Sequence, residues 1–220
     1  MKRKILKVAI DSPAAAGAAT QAKLIAKHYN LLYLDTGKIY RIIGNYYLKN
    51  NKKIKLNKIK KLITKLKIKD LNKNNLLSDD IGIAASIIAK NKKIRKIVFK
   101  FQRKCAYNPA KKYRGSILDG RDCTSIIVPD ANIKFFITAS LNERARRRYL
   151  ELRKLKNNIK LVDVLKSIKK RDKSDYTRKV SPLKRTRDSI LINTTNLTKR
   201  ACFLKIKKII DKKLKNYGNL

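Results

Sequence analysis

One stretch limits what this chain can fold into more than any other: Val8-Ala9-Ile10-Asp11-Ser12-Pro13-Ala14-Ala15-Ala16-Gly17-Ala18-Ala19-Thr20. Three apolar residues ending on Asp11 have the pattern of a strand buried in a parallel sheet. Ser12 to Gly17 is a run of small residues that suits neither a helix start nor a hairpin. After it, Ala18, Ala22, Ile25 and Ala26 recur at helical spacing. Strand, small-residue loop and helix in that order are the layout of a phosphate-binding loop, whose backbone N–H groups wrap an anion at the positive end of a helix. The expected pattern of such a loop is G-x-x-x-x-G-K-[ST]. Here Ser12 stands at the first Gly, Gly17 matches the second, Ala18 replaces the lysine, and Ala19 stands where Ser or Thr is expected, with Thr20 following. Two readings stay open on the loop alone. It is a nucleotide site, or it is a plain strand-to-helix connection whose residues are small because the helix packs close to the sheet.

The 220 residues suffice for one well-filled core with room for an inserted subdomain. Lys and Arg total 58 against 15 Asp and Glu, a formal net charge of +43 that by itself suggests nucleic acid or an anionic membrane. The lysines, however, come with abundant Ile and Asn, run through every segment and are not interleaved with stacking aromatics. A drift of codon usage explains that distribution as well as a binding surface does. Nucleic acid is therefore not expected as the primary partner, and anionic small molecules are the milder consequence. Cys105, Cys123 and Cys202 are odd in number and widely spaced, with neither a disulfide framework nor metal-ligand spacing. His28 falls near the end of the first helix, where a polar or C-terminal capping role outweighs catalysis. Lys2 to Lys7 leads into the first strand without a signal-like apolar stretch, and no apolar run reaches the ~20 residues that cross a bilayer. A cytoplasmic, reducing location without membrane attachment is expected.

Asn30 to Asp35 has the pattern of a second strand, ended by Thr36-Gly37, and helical spacing resumes through Tyr40, Ile43, Tyr47 and Leu48. Strands alternating with helices imply parallel strands with right-handed crossovers. Ligands of such sheets bind beyond the carboxyl ends of the strands, where Asp11 to Gly17 and Asp35 to Arg41 both fall. Lys49 to Asn75 suggests a peripheral amphipathic helix plus a short extended piece. Helices are expected from Asp79 and from Lys92 to Ala106, so that residues 51–106 form an insertion between core strands. Ser116 to Asp119 and Ile133 to Ala139 are further core strands. Leu141 to Leu155 is a basic helix, Asn157 to Lys160 a polar loop, Leu161 to Arg171 another helix and Ser189 to Asn193 a fifth strand. Thr198 caps a closing helix.

Arginine suits phosphoryl chemistry because its planar fork binds phosphate through two N–H groups and stays charged. Arg41, Arg95, Arg121, Arg171 and Arg178 each lie at an expected strand or helix end, although in so basic a chain any single one reads first as solvated surface. Acidic residues are scarce, so Arg121 beside Asp122, and Arg171 beside Asp172 and Asp175, carry more information.

The stretches Ala9-Ile10-Asp11-Ser12-Pro13-Ala14, Leu34-Asp35-Thr36-Gly37-Lys38-Ile39-Tyr40-Arg41 and Asp119-Gly120-Arg121-Asp122 resemble the bacterial cytidylate kinase family. So do Pro129 to Phe136, Glu143-Arg144-Ala145-Arg146-Arg147-Arg148-Tyr149, Arg171 to Arg178, and Ser181-Pro182-Leu183. The matches follow the family's order from about Val8 to Leu197. The resemblance implies an α/β P-loop kinase fold: a five-stranded parallel sheet flanked by helices, in one domain, with a nucleoside-monophosphate-binding insertion at about 51–106 and a lid at about 141–171. It implies transfer of a phosphoryl group from ATP to CMP or dCMP by a monomer, with Mg2+ held through the ATP phosphates and no protein metal ligand. The loop Ser12, Pro13, Ala14, Ala15, Ala16, Gly17, Ala18, Ala19 and Thr20 would hold the ATP phosphates. Position by position, Ser86, Arg95 and Asp122 match the residues that read cytosine, and a carboxylate suits the exocyclic amine that uracil lacks. Arg41 and Arg121, with Thr36 nearby, match acceptor-phosphate ligands. Arg171 and Asp175 match ribose ligands, and Arg178 one that bridges the acceptor nucleotide. Arg121, Arg171 and the lid residues Arg147 and Arg148 are the candidate catalytic cations, with Arg153 a further lid arginine that would swing onto ATP phosphates.

Ala18 is the serious departure, because losing one preorganised electrostatic donor costs roughly 3 kcal/mol of transition-state stabilisation. Ser12 for Gly narrows the loop's freedom, and Cys123 and Ser125 vary the run after Asp122 without removing a charge. Either the missing cation comes from elsewhere, for example Lys23 or a lid arginine, or the chain binds CMP and transfers poorly. A basic nucleic-acid-binding protein is the reading from another class, and it would bind generic strands with steep salt dependence.

Overall fold

The computed structural model describes residues 4–72, 76, 78–154 and 158–216, and among these five strands form one parallel sheet in the order β2-β3-β1-β4-β5. The strands are β1 (Leu6–Asp11), β2 (Leu31–Asp35), β3 (Gly115–Gly120), β4 (Ile133–Thr138) and β5 (Ile190–Asn193). The helices are α1 (Ala18–Tyr29), α2 (Thr36–Lys49), α3 (Leu56–Lys65), α4 (Asp79–Ile88), α5 (Lys92–Tyr107), α6 (Leu141–Arg153), α7 (Leu161–Thr177) and α8 (Lys199–Asn216). Lys2, Asn75, Leu155 and Asn157, which bound four of the expectations above, lie outside the described residues.

Because successive strand residues face opposite sides, the apolar run of β1 feeds two cores. Val8 and Ile10 join Ile117, Phe135 and Ile192 beneath α1 and α8, with Ile25, Ile206 and Ile210 fully buried there. Ala9 points the other way, with Leu34 and Leu118, toward Ile39 and Ile43 of α2 and Ile94 and Val98 of α5. Each such fully buried aliphatic side chain contributes about 2 kcal/mol of transfer free energy. A third, small cluster of Ala145, Leu152, Val164 and Ile168 joins α6 to α7. Gly44 lets α4 lie against α2, since a Cβ there would come within 2.9 Å of the Ala85 amide nitrogen.

The structure corrects two expectations and refines a third. β2 ends at Thr36-Gly37 as expected, and these two residues already form the first turn of α2, capped by Asp35, whose carboxylate accepts from Lys38 N at 3.1 Å. The extended piece expected before Asn75 is a 3-10 helix, Ile68–Asn72, fixed by the Asp70 carboxylate accepting from Lys67 N at 3.0 Å. The helix from Leu161 does not stop at Arg171 but runs to Thr177, because Asp172 and Asp175 continue the buried face begun by Val164 and Ile168. His28 lies in the last turn of α1 and packs edge-on against Tyr29 and Phe203, while Asn30 caps the helix in the left-handed conformation. Thr198 does cap α8, its hydroxyl accepting from Ala201 N at 3.1 Å. Among the described residues no helix is long and apolar enough to cross a membrane.

Candidate active site

Every strand delivers a polar residue to one end of the sheet: Asp11 on β1, Asp35 on β2, Asp119 on β3, Thr138 on β4 and Asn193 on β5. This is the end at which parallel sheets bind ligands. From Asp11 the chain turns through Ser12, whose N–H donates to Gly120 O at 3.1 Å, into the small-residue loop. Gly17 at φ 90 lies in the left-handed region, which lets the chain enter α1 directly. Ala15 at φ 59 lies there too, at a cost of roughly 1–2 kcal/mol for a residue with a Cβ. No side chain caps the N-terminus of α1 and no acid stands in its first turn, so its leading N–H groups and helix dipole face the loop.

The loop has no charged side chain of its own; its cation comes from α6. Arg147 Nη1 would lie 3.6 Å from a Cβ on Gly17. It donates to Thr194 Oγ1 at 2.9 Å, and that hydroxyl donates in turn to Ala16 O at 3.0 Å. Arg147 Nη2 donates to Thr194 O at 2.7 Å and Nε to Glu143 at 2.8 Å. Hydrogen bonds from Arg146, together with Arg147, hold the Glu143 carboxyl down at about 2. Arg144 and Asp172 also grip Ala14, an arrangement that the spacing of residues did not suggest. Ala18 is buried, Thr20 is exposed, and Lys23, one turn further along α1, places its charge near Asp119.

Across the cleft the arginine–carboxylate couples converge. Arg95, buried between Tyr40 and Asp122, forms an ion pair with the Asp122 carboxylate and donates to Ala89 O at 3.2 Å. Arg121 Nε donates to Asp175 Oδ2 at 2.7 Å, and Arg178 Nη1 approaches Asp175 Oδ1 at 3.4 Å. Burial opposes ionisation of Asp175, but Arg121 and then Arg171 outweigh it and lower its pKa. Arg178 is held by Ser181 O at 2.7 Å, and burial lowers its pKa while Asp175 and Asp122 oppose that shift. Arg41 Nη1 donates to Leu76 O at 2.7 Å and Ser78 O at 3.1 Å, and Thr36 Oγ1 donates to Asp119 O at 2.8 Å.

Arg171 is the centre of this group. Its Nε is buried without a hydrogen-bond partner among the described residues. Burial, then the charges of Arg121, Arg41 and Arg148, bring its pKa down to about 10, with Asp175 opposing. Such a cluster of guanidiniums is at rest only when an anion joins it. Ser86 donates to Gly82 O at 3.2 Å within α4, and Arg153 lies over the Tyr149 ring at 5.8 Å. Arg148 Nη1 reaches Glu151 at 3.3 Å while its charge acts on Arg171.

Asp11 ties the two sides together. Its fully buried carboxylate accepts from Cys123 N at 2.7 Å, Thr124 N at 2.9 Å and Thr124 Oγ1 at 2.6 Å, fixing the π-turn Cys123–Ile127 that follows Asp122. Burial pushes it up to about 6 against those hydrogen bonds. Asp119 Oδ1 is buried with no hydrogen bond of ordinary geometry among the described residues; burial followed by the charge of Asp35 raises its pKa well above its ordinary value, and the nearby Tyr33 hydroxyl opposes that shift. The described residues contain no cluster of three or more metal ligands. Asp119 and its register neighbour Asp35 nonetheless are oxygen donors that fit a hard divalent cation taking its remaining ligands from phosphate and water.

A sequence profile described as cytidylate kinase matches residues 8–212. A cytidylate kinase of Bartonella tribocorum is 44% identical over 199 residues, covering 89% of this chain and 90% of its own. One from Thermosipho melanesiensis is 38% identical over 219 residues, covering 95% and 98%. Among solved structures, an uncharacterized protein from Eubacterium ventriosum superposes with a TM-score of 0.56 at 20% identity, covering 94% of this chain and 99% of its own, and that likeness speaks to the fold alone. With a profile spanning nearly the whole chain and relatives this similar over their full length, the protein belongs to the cytidylate kinase family.

Proposed function

We propose that the chain phosphorylates CMP or dCMP with ATP, giving CDP or dCDP and ADP. The observation that carries this reading is Arg171, a buried guanidinium with an unpartnered Nε, surrounded by the charges of Arg121, Arg41 and Arg148. An oxygen of the acceptor phosphate attacks the γ-phosphorus of ATP, and the bond to the oxygen bridging to the β-phosphorus breaks. With a second pKa near about 6, that phosphate is already a nucleophilic anion at neutral pH and needs no general base. The task left to the protein is to hold two polyanions in line and neutralise the charge that spreads over the transferred group. Arg41 and Arg121 hold the acceptor phosphate, Arg171 and Arg148 face the transferred group, and Asp175 orients Arg121 and Arg178 beside the ribose. Asp122, itself held by Arg95, accepts from the cytosine amine. The amides of the loop 12–17 and of the first turn of α1 take the ATP phosphates, and Arg147 supplies the nearby positive charge that Ala18 lacks.

The donor set at Asp119 and Asp35 fits Mg2+, which would enter with ATP and screen its phosphates. Residues 51–106 act as the acceptor-binding insertion and α6 with α7 as the lid, whose closure excludes water as a competing acceptor. A monomer is part of this reading, and a site for ATP and a nucleoside monophosphate suits a cytoplasmic enzyme.

Ala18 raises a second reading, a CMP-binding protein with weak transfer, which membership of the family does not favour, and one assay separates the two. ATP is offered with CMP, dCMP, UMP or AMP, product is measured, and thermal shifts are recorded. CDP formation, with CMP raising Tm more than UMP does, is the expected outcome. A CMP-specific shift without CDP above background supports the second reading, and transfer to another base with none to CMP overturns the acceptor assignment.

A further inference from the structure

We propose that the buried Arg144–Asp172 pair is a positioning couple that keeps the loop 12–17 in its anion-binding shape, a role that rests on the reading above of this loop as the ATP-phosphate site. The pair joins two helices. Arg144 stands in the first turns of α6 and Asp172 on α7, with Arg144 Nη1 2.6 Å from Asp172 Oδ2 and both residues buried. Each partner also holds the same loop residue: Arg144 Nη1 donates to Ala14 O at 3.1 Å, and Asp172 Oδ1 accepts from Ala14 N at 3.4 Å. Arg144 Nε donates to Ala139 O at 3.0 Å, which anchors the guanidinium to the chain leaving β4.

A residue bonded through both its N–H and its carbonyl cannot turn its peptide planes freely. The residue it constrains next is Ala15, at φ 59. An alanine released from that region falls back to negative φ, and the amides of Ala15 and Ala16 would then leave the anion. Packing alone does not call for this pair, because apolar side chains of similar volume hold two helices together as well as a buried ion pair does. What the charged couple adds over an apolar contact is its two bonds to Ala14. Arg144 and Asp172 bind the loop directly, whereas Arg121, Arg148 and Arg171 face the acceptor side; of the couple, only the Asp172 charge also reaches Arg121, so Arg144→Lys isolates the loop more cleanly.

Arg144→Lys keeps the charge and removes the fork, and Asp172→Asn keeps the shape and removes the charge. Binding of a non-hydrolysable ATP analogue is measured by calorimetry on the full chain, alongside KM for ATP and for CMP and a thermal melt. Both variants are expected to raise the analogue Kd and KM for ATP about tenfold, with KM for CMP changing by less than about twofold. Adding Ala15→Gly to Arg144→Lys is expected to recover part of the lost ATP affinity, since glycine takes the left-handed conformation without a steric penalty. Lower Tm with unchanged analogue binding, equal loss of ATP and CMP affinity, no recovery by Ala15→Gly, or failure of both variants to fold would each overturn the proposal. If CMP proves not to be the acceptor, analogue binding still tests the couple, because it involves no acceptor.

Discussion

The proposed acceptor side of the cleft carries its own charges, whereas the proposed donor loop carries none. On the acceptor side the cations around Arg171 come with built-in partners: Arg95 with Asp122, Arg121 and Arg178 with Asp175, and Arg41 with the carbonyls of Leu76 and Ser78. On the donor side Ser12 to Gly17 offers backbone N–H groups and a helix end, and the positive charge arrives from α6 through Arg144 and Arg147. Self-sufficient side chains can fix an acceptor before the donor arrives. A loop dependent on another element is only as well formed as the contact between them. The balance between the two regions therefore lies with α6 and α7, which reach both.

The largest expected effect breaks the acceptor side at its centre. Arg171→Gln removes the guanidinium that Arg121, Arg41 and Arg148 surround, and with it charge stabilisation that grows as the phosphoryl group transfers. Turnover should fall about a thousandfold while CMP affinity falls much less, a kcat effect that single-turnover kinetics would separate from binding. Equal losses in kcat and CMP affinity would mean that Arg171 only holds the ground state.

Next in size is base selection. Asp122→Asn leaves the shape of the site but replaces a carboxylate acceptor with an amide that can also donate. The ratio of kcat/KM for CMP over UMP should drop about 10- to 100-fold, the worth of one well-placed base contact. An unchanged ratio would show that Asp122 serves only to neutralise Arg95.

How much of each region could be read before folding follows from the same contrast. The residues of the acceptor side stood out because a chain with 15 acidic residues placed several beside arginines, but the pairing was different: Asp122 pairs with Arg95 and not Arg121, while Asp175 pairs with Arg121 and Arg178 and Asp172 with Arg144, not with Arg171. The strand, loop and helix at Val8 to Ala26 stood out because apolar residues and small residues alternate in blocks. What stayed hidden is what sequence distance separates. Asp172 meets Ala14 across 158 residues, and Arg144 looks like its neighbour Arg146 until the structure shows one side chain 8% exposed and the other 59%. The end of α7 was hidden for a related reason. Apolar spacing stops at Ile168, and the inward positions beyond it are occupied by the carboxylates of Asp172 and Asp175, which a search for hydrophobic periodicity passes over.

A smaller effect concerns the link between the regions. Asp11 is raised from 3.8 to about 6, so the folded protein binds a proton there that the unfolded chain releases by pH 4 to 6. More protons bound in the folded state means that this group's contribution to stability is greatest below pH 4 and is lost as pH rises through about 6. Relative to Asp11→Asn, the wild type should lose on the order of 2 kcal/mol between pH 4 and 7 in denaturant titrations. Parallel pH profiles would show that the hydrogen bonds from Cys123 and Thr124 offset burial completely.

The smallest expected change tests whether the donor side has outgrown its missing lysine. Ala18→Lys puts the family's cation back at the first residue of α1, next to the position where Arg147 already brings positive charge to Gly17. Two cations over one loop repel each other before ATP binds and share its phosphates afterwards, so their effects cannot add fully. Activity should rise by less than about tenfold or stay the same, well short of the roughly hundredfold that one donor is worth where nothing else stands in for it. Ala18 is also buried, so a lysine there must find room for its stem before its charge reaches the loop. A full hundredfold gain would show that Arg147 does not act on the phosphates and that the donor side is simply incomplete. A large loss would show that the loop has been rebuilt around a small residue, so that here the borrowed cation has replaced the lysine.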